Sequence, residues 1–208
     1  MLLIGEKILL ICSKYKKNKL RWVGKRWLIR ELLSASILHD LEILGNLVVS
    51  GKRTMFLKFE LHGGKPTENL FLQEILDILQ DTRKLFLLFQ LMKFLGKKKR
   101  NLEDKLWNEL ENKGIIGNQK REHILIKPET RNEIISNLHT YLIQKSEPDP
   151  QYRALFALLY YSGRWKILFG KSEWNKKWVK QIISDDKISK VFNSVKRSHE
   201  SSGVPIII

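Results

Sequence analysis

Residues 30–44 read RELLSASILHDLEIL, and this stretch decides the fold class of the chain. Its apolar side chains recur every three or four residues, which is the spacing of one face of an α-helix. They are Leu32, Leu33, Ile37, Leu38 and Leu41. Gly45 follows shortly after, and glycine is the residue type that most often ends a helix. We predict a helix over residues 30–44 with one face in a hydrophobic core.

The same helical spacing recurs along most of the chain on both sides of this stretch. Further helices are predicted over residues 6–13, 69–80, 82–95, 102–113, 129–145, 149–162, 172–184 and 185–198. Two β-hairpins are predicted over residues 47–61 and 115–127, where apolar residues flank turn sequences. We therefore expect a mostly α protein. It is a single-domain helical bundle with one or two small β-hairpins, a domain over residues 1–200 and a C-terminal tail over residues 201–208.

Composition restricts the class of protein further. The 208 residues are 43% hydrophobic, which suits a folded domain, and they carry a formal net charge of +16. Cys12 is the single cysteine, so an internal disulfide and a cysteine-based zinc site are both excluded. No signal peptide is evident, and the apolar run over residues 85–95 is too short to span a bilayer. We expect a cytoplasmic protein whose contact with any membrane is peripheral.

No arrangement of residues predicts an enzyme, a metal site or a cofactor. The five histidines are scattered, and His39 beside Asp40 is better interpreted as a satisfied histidine at the surface or boundary than as a metal ligand. Residues 63–65 (GGK) lack the earlier glycine that a phosphate-binding loop requires. The acid pairs at residues 103–104 and 185–186 stand at predicted helix starts, where they stabilise the helix dipole.

Clusters of positive charge are the chemistry that the sequence does offer. Residues 14–30 (KYKKNKLRWVGKRWLIR) hold eight Lys and Arg residues, no acid, and the indoles of Trp22 and Trp27. A second cluster, KKKR, occupies residues 97–100, and a sparser third one runs over residues 164–180. We interpret the third cluster as a solvated face. The first two predict an electrostatic membrane face formed by Lys16, Lys17, Lys19, Arg21, Lys25, Arg26, Lys97 and Lys98.

Two other partners remain open for these cations. Residues 102–126 also fit a helix followed by a basic wing, so a nucleic-acid-binding module is the alternative function. The basic face is equally compatible with an adaptor that binds acidic protein segments and has no lipid role. Anionic membrane lipid is the leading hypothesis, because the clusters flank a Trp-containing segment and not one groove-reading helix.

Three stretches, taken in order, resemble the Golgi phosphoprotein 3 family. They are residues 6–49, residues 103–126 (EDKLWNELENKGIIGNQKREHILI) and residues 147–162 (EPDPQYRALFALLYYS). The resemblance implies a helical bundle with β-hairpins and an early loop that is basic and variable. It also implies a peripheral membrane protein that binds phosphatidylinositol 4-phosphate, at the Golgi in a eukaryote. The further partners that it implies are cytosolic tails of membrane proteins and a second copy of the chain. It implies no cofactor.

The family's headgroup pocket carries a Trp in the basic loop and an Arg on the helix that follows. The resemblance places the Trp at Trp22 or Trp27. It places the Arg at Ser34, and Arg30 lies one turn earlier on the same helix face as a substitute.

The same pocket uses a pair of Arg residues three positions apart, before a later helix. The first matches Arg100, while the second falls on Glu103, whose carboxylate repels phosphate. Lys99 and Lys105 are the neighbouring cations. The predicted lipid-headgroup residues are therefore Trp22, Trp27, Arg30, Lys99, Arg100 and Lys105.

Overall fold

The computed structural model describes residues 1–22, 24–51, 57–62, 67–81, 88–98, 102–119, 122–169 and 175–201, and it confirms a mostly α-helical fold. The helices are α1 (Ile4–Cys12), α2 (Arg26–Ile43), α3 (Leu70–Asp81), α4 (Leu88–Lys98), α5 (Leu102–Asn112), α6 (Pro128–Gln144), α7 (Pro150–Ser162), α8 (Trp165–Phe169), α9 (Lys176–Ile182) and α10 (Lys187–Ser201). The strands are β1 (Lys14–Lys16), β2 (Lys19–Arg21), β3 (Leu47–Ser50), β4 (Lys58–Leu61), β5 (Ile116–Gln119) and β6 (Glu122–Leu125).

Helix α2 is the centre of the bundle, as its apolar pattern predicts. It packs against α1, α4, α7 and α10, and residues 31–41 are buried without exception. It begins at Arg26, one turn before the predicted start. This extra turn carries Arg26 and Arg30 on one side of the helix, close to the basic hairpin described below.

Helix α1 is buried along its whole length, including the charged residues Glu6 and Lys7. A buried helix start must satisfy its backbone N–H groups with other acceptors. The Glu6 carboxylate accepts from the Leu3 N–H at 2.6 Å, and the Asp40 carboxylate accepts from the Ile4 N–H at 3.1 and 3.2 Å. The Lys113 ammonium then pairs with Glu6 at 2.6 Å. Asp40 of α2 thus holds the start of α1 against α2, while Glu6 joins it to Lys113, just after α5.

The early basic segment contains a β-hairpin where a loop was expected. Strands β1 and β2 pair antiparallel through a two-residue turn at Lys17 and Asn18, whose φ values are 50° and 61°. Positive φ at both central residues is the geometry of the tight hairpin turn that matches strand twist. Strand β2 then pairs with β6, so a four-stranded sheet forms in the order β1-β2-β6-β5.

The other predicted elements are present with shifted ends. The hairpin of β3 and β4 and that of β5 and β6 are both confirmed. Asp149 caps α7 by accepting from the Tyr152 N–H at 2.9 Å. The short helix α8 is an element that the sequence pattern did not predict. Within the predicted helix over residues 82–95, residues 82–87 lie outside the described residues, as do residues 202–208 of the predicted tail.

Candidate functional site

A pocket of about 740 Å³ lies between β2, α2, α5 and β6. We call it the basic pocket, because its lining includes the cations Lys19, Arg21, Arg26 and Arg30. The carboxylates in the lining are Glu103, Asp104 and Glu122, and its aromatic residues are Trp22, Trp107 and His123. Glu122 is engaged by the Lys19 ammonium at 2.5 Å. The three guanidinium groups therefore meet two further carboxylates, and the pocket keeps a surplus of positive charge.

Strand pairing explains why these distant residues meet. The register sets Leu20 of β2 opposite His123 of β6, which places the basic hairpin against the hairpin that follows α5. Leu20 is buried at 3% exposure and anchors the segment, while the basic residues on either side of it stay exposed. Arg26 and Arg30, four residues apart on α2, form the neighbouring wall.

Glu103 stands inside the basic pocket at the start of α5. Burial raises the pKa of its carboxyl group, and the Trp107 indole N–H and the charges of Arg26 and Arg30 act in the opposite direction. The Trp107 Nε1–H lies 3.5 Å from Glu103 Oε1. Glu103 is therefore a carboxylate that titrates above its usual range while it faces two guanidinium groups.

Trp107 and His123 form a stacked pair in the wall of the pocket. Their ring centroids are 4.2 Å apart and their planes differ by 16°. Burial lowers the pKa of His123, which favours the neutral imidazole, while Glu111 and Asp104 act weakly in the other direction. His123 Nδ1 is buried and has no hydrogen-bond partner among the described residues.

Trp22 lines the basic pocket and covers a buried arginine. The Arg164 Cζ atom lies 4.2 Å from the centroid of the Trp22 ring. The indole Nε1 of Trp22 is buried and, in the described part of the chain, meets no acceptor. Trp22 is therefore held by stacking and retains an N–H donor.

The two candidates for the helix arginine lie in different environments. Ser34 is fully buried, and its hydroxyl donates to the Arg30 carbonyl oxygen at 2.8 Å. Arg30 is exposed and lines the basic pocket. Arg30, one turn before Ser34 on α2, therefore lines the basic pocket, and Ser34 does not.

Two predicted headgroup residues point elsewhere. Trp27 does not line the basic pocket; it stacks on His199 of α10 with ring centroids 5.0 Å apart, and the Lys25 ammonium lies 5.9 Å from its ring. Lys105 forms an ion pair with Glu74 of α3.

The remaining predicted cations extend beyond the pocket. Lys16 and Lys17 are exposed at the β1–β2 turn, and Lys25 is exposed just before α2. Lys97 and Lys98 belong to the last turn of α4. Lys99 and Arg100 lie outside the described residues, although Leu102, two positions after Arg100, lines the basic pocket.

Sequence reasoning missed Trp107, His123 and Arg164. Trp107 lies four residues after Glu103, so helical spacing could have placed both on one face of α5. His123 required the pairing of β2 with β6, which no local pattern reveals. Arg164 was included in the third basic cluster and interpreted there as solvated, but it is only 8% exposed.

A second pocket, of about 650 Å³, is lined by His39 and by the carboxylates Glu42, Glu147, Asp185 and Asp186. His39 Nε2 lies 3.0 Å from the Ser189 hydroxyl and 3.5 Å from Asp186 Oδ2. His39 is thus hydrogen-bonded, as predicted, but it is buried at 4% exposure and not at the surface or boundary, because α10 packs over it. Asp186 Oδ1 also accepts from the Ser189 N–H at 2.8 Å, which confirms its role at the start of α10.

The part of the chain that the structure describes holds neither a cluster of metal-ligating side chains nor a membrane-spanning helix. No group of three or more His, Cys, Asp or Glu side chains there is arranged to hold a metal ion. None of the helices in the described ranges is both long enough and apolar enough to cross a membrane.

Comparison with known proteins gives one result. Residues 4–196 match the family model described as Golgi phosphoprotein 3 (GPP34), and no curated protein matches the chain. The match covers the basic hairpin, the central helix α2, and the helix and hairpin that complete the basic pocket. The chain therefore belongs to the Golgi phosphoprotein 3 family.

Proposed function

We propose that this protein is a peripheral membrane protein that binds anionic lipid headgroups in the basic pocket, phosphatidylinositol 4-phosphate among them. One observation carries the proposal: Arg21, Arg26 and Arg30 meet Trp22 at one pocket in a member of this family. In a eukaryote we place this binding at the Golgi.

The chemistry of these side chains suits a phosphorylated headgroup. A guanidinium presents planar, forked donors that match two oxygens of a phosphate, and it stays charged at all physiological pH values. An indole beside such cations suits the membrane–water interface. Each exposed Lys or Arg near an anionic bilayer contributes roughly 1 kcal/mol. The exposed cations of the β1–β2 hairpin and of residue 25 therefore add attraction around the pocket.

Glu103 limits how selective this pocket is. Its carboxylate repels a phosphate, at the position where the family carries an arginine. We propose that general attraction to anionic lipid dominates and that preference for one headgroup is modest.

Removal of positive charge from the basic pocket tests the proposal. The double variant R26Q/R30Q removes two guanidinium groups from the pocket lining. We expect its binding to vesicles that contain phosphatidylinositol 4-phosphate to fall by roughly 2 kcal/mol, about thirtyfold in affinity. The matched control is K177Q/K180Q, which removes two exposed cations from α9.

Two outcomes would overturn the proposal. Equal losses in the pocket variant and the α9 control would mean that the basic pocket plays no special part. Tight binding to duplex DNA at physiological salt, with no vesicle binding, would favour the nucleic-acid alternative instead.

We also propose an adaptor role at the second pocket, because carboxylates gather there on a chain of net positive charge. Glu42, Asp185 and Asp186 line it, and burial raises the pKa of Glu42. Such a site suits a basic segment, as in the cytosolic tail of a membrane protein. Titration with a lysine-rich tail peptide tests the role; equal affinity of the wild type and E42Q/D185N would contradict it.

A further inference from the structure

Arg164 is a buried cation directly behind the wall of the basic pocket. It follows Gly163, whose φ of 75° ends α7, and it is only 8% exposed. Its guanidinium stacks on the Trp22 indole, with Cζ 4.2 Å from the ring centroid. Burial lowers the pKa of this group, yet an arginine remains charged at neutral pH.

No anion of the described part of the chain neutralises Arg164. Its guanidinium has neither an ion pair nor a hydrogen bond with any residue of the described ranges, and only its backbone N–H is bonded, to Ser162 Oγ. The ionisable group that acts on it is the Cys12 thiol. Burial raises the pKa of that thiol to about 12, so it carries no charge at neutral pH. A buried cation without a partner is costly, which makes an anion from outside the chain the natural counter-charge.

The guanidinium reaches the pocket at Gly24. A Cβ atom at that position would lie 2.2 Å from Arg164 Nη2, so Nη2 fills the space that a side chain would need. Gly24 has a φ of 137°, a conformation that glycine adopts readily, and it lines the basic pocket together with Trp22. The Nη2 donor therefore stands directly behind the stretch of pocket wall that Trp22 and Gly24 form.

We propose that Arg164 binds a phosphate monoester of the ligand in the basic pocket. This inference rests on the proposed function and names the donors for that ligand. Ser34 and Glu103 stand where the family carries arginines, so neither supplies a guanidinium to the phosphate. In this inference Arg164, in the turn between α7 and α8, supplies it. The phosphate belongs to a lipid headgroup or to a free phosphate ester, and the chemistry of recognition is the same for both.

The substitution R164M tests the proposal, because methionine keeps an unbranched apolar stem beside Trp22 and removes the charge. Vesicles of phosphatidylcholine with phosphatidylinositol 4-phosphate are compared with vesicles of matched charge made with phosphatidylserine. We expect R164M to bind the phosphoinositide vesicles about tenfold more weakly, because a charge-assisted hydrogen bond to phosphate is lost. Its binding to phosphatidylserine vesicles should change much less. The variant R164K, which keeps the charge without the fork, should also lose the preference for phosphoinositide.

Thermal unfolding gives a readout independent of membranes. Since R164M removes a buried cation that has no ion-pair partner among the described residues, it should unfold at the same temperature as the wild type or at a higher one when no ligand is present. Inorganic phosphate should raise the unfolding temperature of the wild type and leave that of R164M unchanged. The matched control is R153M, which removes an arginine that lines the second pocket and pairs with Glu147 at 2.5 Å.

The outcomes separate this inference from the proposed function. If the wild type binds phosphoinositide vesicles and R164M binds them equally well, the assignment of Arg164 is wrong while the proposed function stands. If R164M unfolds at a lower temperature and loses both vesicle types equally, Arg164 only supports the fold. Protection by inorganic phosphate without vesicle binding by the wild type would keep Arg164 as the phosphate ligand and overturn the lipid function.

Discussion

At the scale of single residues, Glu103 decides how strongly the basic pocket attracts an anion. Its carboxylate lies close enough to Arg26 and Arg30 for their charges to lower its pKa, although burial raises that pKa overall. The sequence predicted this repulsive carboxylate, because the match to the family's arginine pair placed it there. Helical spacing could have placed Trp107 beside Glu103, but the position of His123 was not predictable, since it depends on the packing of β6 against α5.

Removal of the Glu103 charge should strengthen lipid binding. The variant E103Q keeps an acceptor for the Trp107 N–H and removes one negative charge from the pocket. We expect roughly 1 kcal/mol, about fivefold in affinity for phosphatidylinositol 4-phosphate vesicles. E111Q, on the same helix but outside the pocket lining, should have little effect in the same sedimentation assay. Weaker binding by E103Q would contradict this account of the pocket.

The pH dependence of vesicle binding follows from the same residue. As pH falls, Glu103 takes up its proton at a higher pH than an ordinary glutamate because burial raises its pKa, and His123 gains its charge at a lower pH than an ordinary histidine because burial lowers its pKa. Both changes make the pocket more positive, so binding should strengthen as pH falls from neutral into the range where Glu103 is protonated. The lipid phosphate also titrates in this range, so the measured quantity is the ratio of affinities of E103Q and wild type. That ratio should approach one at the lower pH; a constant ratio would contradict the role of Glu103.

At the scale of elements, helices α1 and α2 were predictable and the β1–β2 hairpin was not. The helices follow from the local spacing of apolar residues, which does not depend on the elements that pack against them. The hairpin has only Leu20 as a buried residue, so it lacks the alternation that marks a strand. Its pairing is set by β6, about a hundred residues away in sequence. The basic pocket depends on that pairing, which is why its cations were predicted and its shape was not.

The junction of α1 and α2 makes stability depend on pH. Asp40 accepts from the Ile4 N–H, and burial raises its pKa from 3.8 to about 8. Between those values the folded protein holds a proton that the unfolded chain has released. The free energy of unfolding therefore falls as pH rises through this window, and the contribution is lost once pH passes the folded pKa.

The variant D40N should remove this part of the pH dependence. Its amide oxygen still accepts from the Ile4 N–H, and it cannot ionise. We expect urea unfolding to show a smaller loss of stability between about pH 5 and about pH 9 for D40N than for the wild type. D77N, at an exposed position of α3, should keep the wild-type slope. Parallel slopes for the wild type and D40N would contradict the assignment.

At the scale of the whole molecule, one hydrophobic core extends from α1 to α10, and most Lys and Arg side chains of the described residues lie outside it; Lys7 and Arg164 are buried. Cys12 lies in this core at 1% exposure, and burial raises the pKa of its thiol to about 12. The predicted bundle class follows from the frequency of helical patterns. The positions of its buried charged residues, such as Glu6, cannot be predicted from those patterns, because each position depends on partners from distant parts of the chain.

Cys12 should therefore report on opening of the core. A thiol reagent is expected to label it very slowly in the folded protein and rapidly in denaturant, since the thiol must be exposed and ionised to react. The rate is measured by absorbance or by mass. Rapid labelling of the folded protein would show that the α1 environment is more open than described.

Net charge alone predicts attraction to any polyanion, so the central claim concerns which surface the molecule binds. Sedimentation with vesicles of neutral phosphatidylcholine, of phosphatidylcholine with phosphatidylserine, and of phosphatidylcholine with phosphatidylinositol 4-phosphate tests it most directly. We predict binding to both anionic compositions, weaker binding as salt is raised, and none to the neutral vesicles. Equal sedimentation with neutral and phosphoinositide vesicles would contradict the account.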